Sequence, residues 1–359
     1  EISRCDWSSD VCSSDLLEGK DRGGAKDIVV TGDATAIAGN DWTALKDCYK
    51  DGSAWTSLSG LDLLKMDELG TVSGVDGGGA AFGRLAHVWL PDTMGSIGDY
   101  AFSGCTSLRL EYLPEGVTSV GAGAFQGCTS LALGSLVEGV RYVGESAFEG
   151  CTSLVLGRLP DSIEFIKKSA FSGCEKLDFS EIPANVLAIE PKAFSGCKNL
   201  ERVSFPSGLK FVGESAFEGC SNLKELSFRS ENPPKLDADA FEGVAQLGAV
   251  YCPDATAYET AFKDNGPSGW RYEPFYTLEV VFNGGDGSGT AMQAAIDAAL
   301  ADVGKGKIGA KDIVVTGAAT EITKNDWGNL KRCYQRDSEW ANLSGLDLSG
   351  MGELTAVGV

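Results

Sequence analysis

The sequence predicts an α/β solenoid, in which short parallel strands from successive 23-residue coils stack up one face behind a helical N-terminal cap. Three observations predict it. An Ala-Phe-x-Gly-Cys motif returns every 23 residues, and leucines follow each cysteine at fixed places. A much longer duplication joins a strand-and-helix pattern to the start of the array. Because one such coil cannot bury its apolar side alone, the coils must stack.

The motif places a phenylalanine and a cysteine at the same point of each coil. We expect them to form two inward-facing columns, with the thiols acting as small apolar plugs. A seventh copy follows at Phe241, where Val244 replaces the cysteine. Seven coils at strand spacing give roughly 34 Å of array. The six regular copies hold Phe102, Phe125, Phe148, Phe171, Phe194 and Phe217, followed by Cys105, Cys128, Cys151, Cys174, Cys197 and Cys220.

Each coil is expected to contain a leucine-rich strand, a second short apolar stretch, a glycine turn and a helical or 3₁₀ turn that begins before the phenylalanine. The strands follow two patterns. Four early coils read Leu-x-Leu-x-x-Leu, as in Leu108 to Leu113, and two later coils read Leu-x-x-Val/Leu-x-Phe, as in Leu200 to Phe205. Since the apolar positions shift by one residue, we expect an irregularity or bulge between the two groups.

The repeat resembles the BspA-type leucine-rich repeat family of bacterial surface proteins. The likeness is carried by Leu-Pro-Asp/Glu…Ile/Val-Gly-x-x-Ala-Phe-x-Gly-Cys-x-x-Leu, which runs from Leu90 to Leu108 and again from Leu113 to Leu131. It covers about residues 58–276. The resemblance implies a leucine-rich repeat array, a secreted or cell-surface location, and a role in adhesion or host contact. It implies no catalytic residues.

Residues 25–74 recur at 310–359, where 30 of the 50 aligned residues are identical. Each copy reads as a strand, a helix and the first leucine-rich strand. In the first copy, Asn40 or Asp41 is expected to accept hydrogen bonds from the free amides at the helix start. The spacing of Trp42, Leu45 and Tyr49 predicts one buried helix face. Because the exposed end of an array needs a lid, we interpret this unit as the N-terminal cap.

These patterns divide the chain into six segments. The first, EISRCDWSSDVCSSDL, resembles translated sequencing adapter, and we expect it to be a disordered artefact. We also expect the natural protein to be longer, with modules in tandem. The segments are 1–16 (artefact), 17–57 (N-terminal cap), 58–248 (repeat array), 249–276 (closing segment), 277–309 (strand, Gly-rich connection and helix) and 310–359 (truncated second cap).

Composition argues against several function classes. The 359 residues carry a formal net charge of -21, which repels nucleic acids and anionic membrane surfaces. No apolar run approaches 18 residues, so no membrane insertion is expected. The single histidine, His87, and the lack of a G-x-S-x-G motif disfavour an enzyme.

Neither a cofactor nor a metal is expected. The 23-residue spacing of the cysteines does not match a zinc site, and the acidic residues form no calcium loop. The Gly-rich run 284–289 lacks the Gly-Lys-Ser/Thr end of a phosphate loop, so we interpret it as a linker.

The remaining candidate site is the face formed by the leucine-rich strands. Tyr and Arg are the residue types that anchor interfaces. Several equivalent positions hold Gly or Ser, so a plain exposed strand is the alternative. The candidate binding residues are Arg109, Tyr112, Arg158, Glu181, Glu201, Arg202, Lys224 and Glu225.

The leading hypothesis is a non-catalytic, secreted or surface-anchored monomer that binds an extracellular protein or glycan through this face. The alternative is a passive stalk that holds another domain away from the cell. An enzyme would need a site outside these residues.

Overall fold

The structure is a computed structural model. It describes residues 3–6, 27–31, 36–37, 60–65, 71–72, 83–246, 248–282, 290–303, 310–316, 321–333, 345–348 and 356–357. All strand pairs in these stretches are parallel. The solenoid of 23-residue coils is therefore confirmed.

The described strands, in chain order, are β1 Ser3–Asp6, β2 Asp27–Thr31, β3 Ala36–Ile37, β4 Gly60–Lys65, β5 Thr71–Val72, β6 His87–Trp89, β7 Ser96–Ile97, β8 Ser119–Val120, β9 Tyr142–Val143, β10 Phe165–Ile166, β11 Ala188–Ile189, β12 Arg202–Phe205, β13 Phe211–Val212, β14 Glu225–Phe228, β15 Lys235–Leu236, β16 Ala249–Cys252, β17 Arg271–Pro274, β18 Tyr276–Val281, β19 Ala310–Thr316, β20 Glu321–Ile322, β21 Gly345–Asp347 and β22 Ala356–Val357. The described helices are α1 Ala255–Ala261, α2 Thr290–Val303 and α3 Lys324–Cys333.

The longest sheet has nine short parallel strands, in the order β3-β5-β7-β8-β9-β10-β11-β13-β15. Each of these two-residue strands is called a rung. Its rungs come from the second apolar stretch of each coil, and the inward residue of each rung from β5 to β15, such as Val120 or Ile166, is buried. Nine rungs exceed the seven predicted coils. The difference arises because β3 and β5 supply rungs without the Ala-Phe-x-Gly-Cys motif on which the prediction depended.

The phenylalanine column forms as predicted. Neighbouring rings from Phe102 to Phe241 stack with centroids 5.3–5.5 Å apart. The cysteines form a second column, in which each described thiol from Cys128 to Cys220 donates to a phenylalanine carbonyl of the preceding coil at 3.0–3.3 Å. The two columns run through one continuous core.

The turn that carries the phenylalanine is not a helix. Its amides bond alternately to the same coil and to the next: Ala147 N donates to Gly144 O, whereas Phe148 N donates to Ala170 O. Left-handed residues bracket it, such as Ser146 with φ 55° and Gly150 with φ 73°. The predicted helical or 3₁₀ turn is therefore replaced by successive tight turns, because half of the amides stabilise the stack instead.

The leucine-rich side forms regular strands only where apolar residues alternate. In the early pattern Leu110 and Leu113 both face the core, and a strand whose side chains alternate cannot place two residues three apart on one face. In the later pattern Val203 and Phe205 are two apart, and β12, β14, β16 and β17 form a sheet. An isolated parallel bridge, Glu181–Ser204, lies between the two groups. The bulge expected between them stays a prediction.

The closing segment covers the last coil of the array. Its helix α1 begins at Asp254, whose side chain accepts a hydrogen bond from Ala257 N at 3.0 Å. Buried Tyr258 donates its hydroxyl to Ser230 O at 2.7 Å, and Trp270 Nε1 donates to Ala245 O at 2.7 Å. These bonds tie the segment to the array backbone.

Residues 276–348 contribute to a second body with its own core, built by β18, β19, β21, α2 and α3. Helix α3 was expected to be capped by an Asn or Asp of the Asn-Asp-Trp motif. Thr323 caps it instead, because its Oγ1 accepts a hydrogen bond from Asp326 N at 3.4 Å. The Asp326 carboxylate in turn accepts from Thr323 N (3.2 Å) and Thr323 Oγ1 (2.6 Å). Trp327 and Leu330, the counterparts of Trp42 and Leu45 in the second copy, pack in this core.

The helix expected around Trp42 lies outside the described residues. Ser3–Asp6, within the segment expected to be disordered, forms β1 and pairs with β2, so that expectation is wrong for these four residues. The adapter origin of residues 1–16 stays a prediction. None of the described helices combines the length and the hydropathy needed to cross a bilayer.

Candidate ligand-binding groove

Two predicted residues, Arg109 and Tyr112, line a groove at the N-terminal part of the leucine-rich face. The groove has a volume of about 300 Å³. Trp89 and Tyr112 are 23 residues apart in the sequence, belong to adjacent coils and both line this groove. The lining consists of Leu64, His87, Val88, Trp89, Leu90, Arg109, Leu110, Glu111, Tyr112 and Pro114.

The strand β6 explains why the aromatic residues face solvent. Its alternation places Val88 in the core and leaves His87 and Trp89 outside. The two rings lie 6.2 Å apart at a tilt of 33°. On the next coil, Arg109 N donates to Ala86 O at 2.8 Å, which fixes Arg109 against the start of β6. The backbone stack therefore assembles the groove from three successive coils, which contribute Leu64, residues 87–90 and residues 109–114.

The groove exposes unusually large apolar side chains. Trp89 is 41% exposed, Tyr112 71% and Leu64 50%. Tyr and Trp are enriched at sites of molecular recognition because each has an apolar body and a polar end. Beside them lie Arg109, a hydrogen-bond donor, and Glu111, an acceptor, both solvent-exposed. This combination suits binding rather than catalysis.

Arg158 and Glu181 lie further along the same face, where both line a small depression of about 50 Å³. Each is held by another charge: Arg158 forms an ion pair with Glu138, and Glu181 pairs with Arg229 at 2.8 Å. Their charges are partly neutralised within the array.

The last four predicted residues lie on two neighbouring coils. Lys224 Nζ is 3.0 Å from a Glu201 oxygen, which is also 3.7 Å from the Arg202 guanidinium. Arg202 and Glu225 are register partners on β12 and β14. These side chains form a local charge network with one another. They lie apart from the groove that Arg109 and Tyr112 line.

Sequence reasoning missed Trp89 as a site residue. The signal was present, because Trp89 precedes Tyr112 by one repeat period. It also missed an apolar row on the nine-stranded sheet. There Tyr142 and Phe165 are register partners with ring centroids 6.4 Å apart, and Phe165 is 52% exposed. Lys235 Nζ lies 5.5 Å from the Phe211 ring further along the row.

The cysteine column is sealed from solvent. Eight cysteines are buried and free, namely Cys105, Cys128, Cys151, Cys174, Cys197, Cys220, Cys252 and Cys333. Burial raises the pKa of Cys151 and Cys197 well above the ordinary value, with neighbouring cysteines as a further cause. Burial likewise raises the pKa of Cys220 to about 12. These neutral thiols have little nucleophilic character, so the column is a packing element.

A larger cleft of about 410 Å³ lies beside the closing segment and includes Asp239, Glu242 and Asp264 in its lining. Within the described part of the chain, no three His, Cys, Asp or Glu side chains are arranged to hold a metal ion.

The sequence profile of the BspA type Leucine rich repeat region matches residues 81–186 and 142–266, with six copies of the repeat. The chain belongs to this family. Among curated proteins, none matches this BspA-type chain significantly.

Three solved structures similar to this BspA-type chain are described as leucine-rich repeat or leucine rich cell surface proteins. One from Bacteroides ovatus has 17% identity over 93% of this chain and 83% of its own, with a TM-score of 0.48. One from T. pallidum has 20% identity over 56% of this chain and 78% of its own, with a TM-score of 0.37. A leucine rich cell surface protein from Faecalibacterium prausnitzii has 17% identity over 90% of this chain and 79% of its own, with a TM-score of 0.31.

Proposed function

We propose that the chain is a non-catalytic, secreted or cell-surface binding protein whose ligand, an extracellular protein or glycan, occupies the groove between His87 and Tyr112. The observation that carries the proposal is the exposure of Trp89 and Tyr112 on adjacent coils around one concavity. Membership of the BspA-type family and the description of one structural neighbour as a cell surface protein support the location.

The stacked backbone supports a binding role by holding the groove in shape. Strand β6 pairs with β4, so that Asp62 lies opposite Trp89, and the amide of Arg109 is bonded to Ala86. A ligand therefore meets side chains that are already in position and loses little affinity to ordering them.

Binding of the fluorescently labelled chain to cultured epithelial cells, measured by flow cytometry, tests the proposal. The double variant Trp89→Ala/Tyr112→Ala is expected to lose at least about tenfold in apparent affinity, since two anchors are removed. Phe165→Ala is the matched control, because it removes an exposed aromatic ring from the other sheet and is expected to bind normally.

Two results would contradict the proposal. Loss of binding in Phe165→Ala alone would move the site to the nine-stranded sheet. Equal binding of all variants, with binding abolished only when the array is shortened, would favour the passive stalk.

A further inference from the structure

The groove offers three kinds of contact at once. Trp89 and Tyr112 present aromatic rings, Arg109 presents guanidinium donors, and Glu111 presents carboxylate acceptors. Within the described residues, Arg109 and Glu111 take part in no ion pair. Both are therefore available to a ligand.

We propose that the ligand of this groove is a neutral saccharide, one or two sugar rings of which lie against Trp89 and Tyr112. This inference rests on the proposed binding function and names the class of ligand. The face of an aromatic ring carries negative charge density, which attracts the C–H groups on the apolar face of a sugar ring. The hydroxyl groups at the ring edge both donate and accept, so one sugar satisfies Arg109 and Glu111 together.

An apolar side chain from a protein ligand fits less well. It would remove Arg109 and Glu111 from water without giving either a hydrogen-bond partner, and burying an unpaired charge is costly. A hydroxyl-rich ligand replaces the lost water at both groups. The chemistry of the lining therefore favours a saccharide over an apolar peptide segment.

The dimensions agree with a short stretch of glycan. A volume of about 300 Å³ is at the lower end of the range for small-molecule sites. Trp89 and Tyr112 belong to adjacent coils and line the same groove, so neighbouring parts of one ligand can reach both rings. Leu64, which is half exposed, adds further apolar surface to the groove.

Charge decides between neutral and acidic sugars. The chain has a formal net charge of -21, and Glu111 is in the groove itself. A uronic or sialic acid would be repelled by both, although Arg109 would attract it locally. A neutral sugar avoids this repulsion, and its affinity should change little with ionic strength.

The experiment screens the full chain on an array of neutral and acidic oligosaccharides. Titration calorimetry then follows with cellotetraose, maltotetraose, mannotetraose and tetragalacturonate, together with any neutral glycan selected by the array. We expect at least one neutral glycan to bind, and Trp89→Ala and Tyr112→Ala each to weaken it about tenfold. Phe165→Ala should bind as the parent does. Because these side chains are all at least 41% exposed, each variant is expected to stay folded, which its unfolding temperature checks.

Glu111→Gln separates the sugar classes. For a neutral glycan this change removes a charged acceptor and weakens binding, whereas for tetragalacturonate it removes a repulsion and strengthens binding. Tighter binding of tetragalacturonate than of every neutral glycan would overturn the inference.

The array also separates the two proposals. If no neutral glycan binds while cell binding still depends on Trp89 and Tyr112, the saccharide inference is wrong and the binding function stands. If the double variant binds cells and glycans as the parent does, both proposals are wrong.

Discussion

Truncation of one ring in the phenylalanine column should destabilise the whole solenoid, and Phe148→Ala is the clearest case. Phe148 is fully buried, and its ring lies 5.4 Å from that of Phe125 and 5.3 Å from that of Phe171. The spacing of the coils is set by backbone bonds, with Phe148 N donating to Ala170 O at 2.8 Å. The neighbouring coils therefore cannot collapse into the cavity, and the loss should reach about 3–5 kcal/mol.

Urea unfolding followed by circular dichroism measures this loss. Phe165→Ala, the same chemical change 17 residues later, removes a ring that is 52% exposed and should lower the free energy of unfolding by only about 1 kcal/mol. A loss below about 1 kcal/mol in Phe148→Ala, or equal losses in the two variants, would refute the close packing of the column.

Three further predictions follow from the backbone turns and the thiols. Gly173→Ala should lower the free energy of unfolding in urea by about 1–2 kcal/mol, because Gly173 has φ 72°. Gly157→Ala is the control and should be nearly neutral, because the new methyl group meets open space. Similar losses in the two variants would argue against the left-handed turn at Gly173. Iodoacetamide at pH 8 should leave Cys220 unmodified in the folded chain and modify it in urea, as mass spectrometry can measure; rapid labelling without urea would mean that the thiol is accessible. Folding raises the pKa of Cys220 from 9.0 to about 12, so the neutral thiol contributes its full share to the stability of the folded chain below pH 9. This contribution is lost as the pH rises from 9 to 12, by about 1.4 kcal/mol per pH unit for each such thiol. A Cys220→Ala variant whose stability falls equally steeply over this range would contradict the prediction.

The repeat determined most of the fold in advance. Residues such as Phe148 and Cys151 recur at one period, and a period of 23 is compatible only with units that bury the same side chains against each other. The inward columns therefore followed from the sequence.

The number of rungs and the location of the longest sheet did not follow. Ala36–Ile37 and Thr71–Val72 form rungs although no phenylalanine motif follows them. A two-residue rung needs only one inward-facing apolar side chain, because its backbone is held by pairing with the rung of the neighbouring coil. Such a rung leaves a weak sequence signal. The leucine-rich side gave a strong signal but forms no regular ladder around Leu110 and Leu113, where the spacing of three interrupts the alternation.

The candidate site was predicted in part. Arg109 and Tyr112 were selected as exposed residues of anchoring types, and they line the groove. In the sequence, Arg158 and Glu181 could not be distinguished from Arg109 and Tyr112 as candidate binding residues. Their ion-pair partners come from other coils, and no local sequence pattern reveals such partners. To predict Trp89 as a site residue, one has to combine the repeat period, which relates it to Tyr112, with the alternation of side chains along β6, which leaves it exposed. Side-chain exposure on a solenoid depends on both.

The central claim is that the coils stack in register, so that residues 23 apart become neighbours. Residue-resolved amide hydrogen exchange tests it most directly. Six phenylalanine amides, from Phe102 to Phe217, each donate to a carbonyl of the next coil at 2.7–2.9 Å. Their exchange is predicted to be slow at every 23rd residue, far slower than at exposed Glu115 and Gly116. Phenylalanine amides that exchange as fast as those two would contradict the stack, and with it the groove.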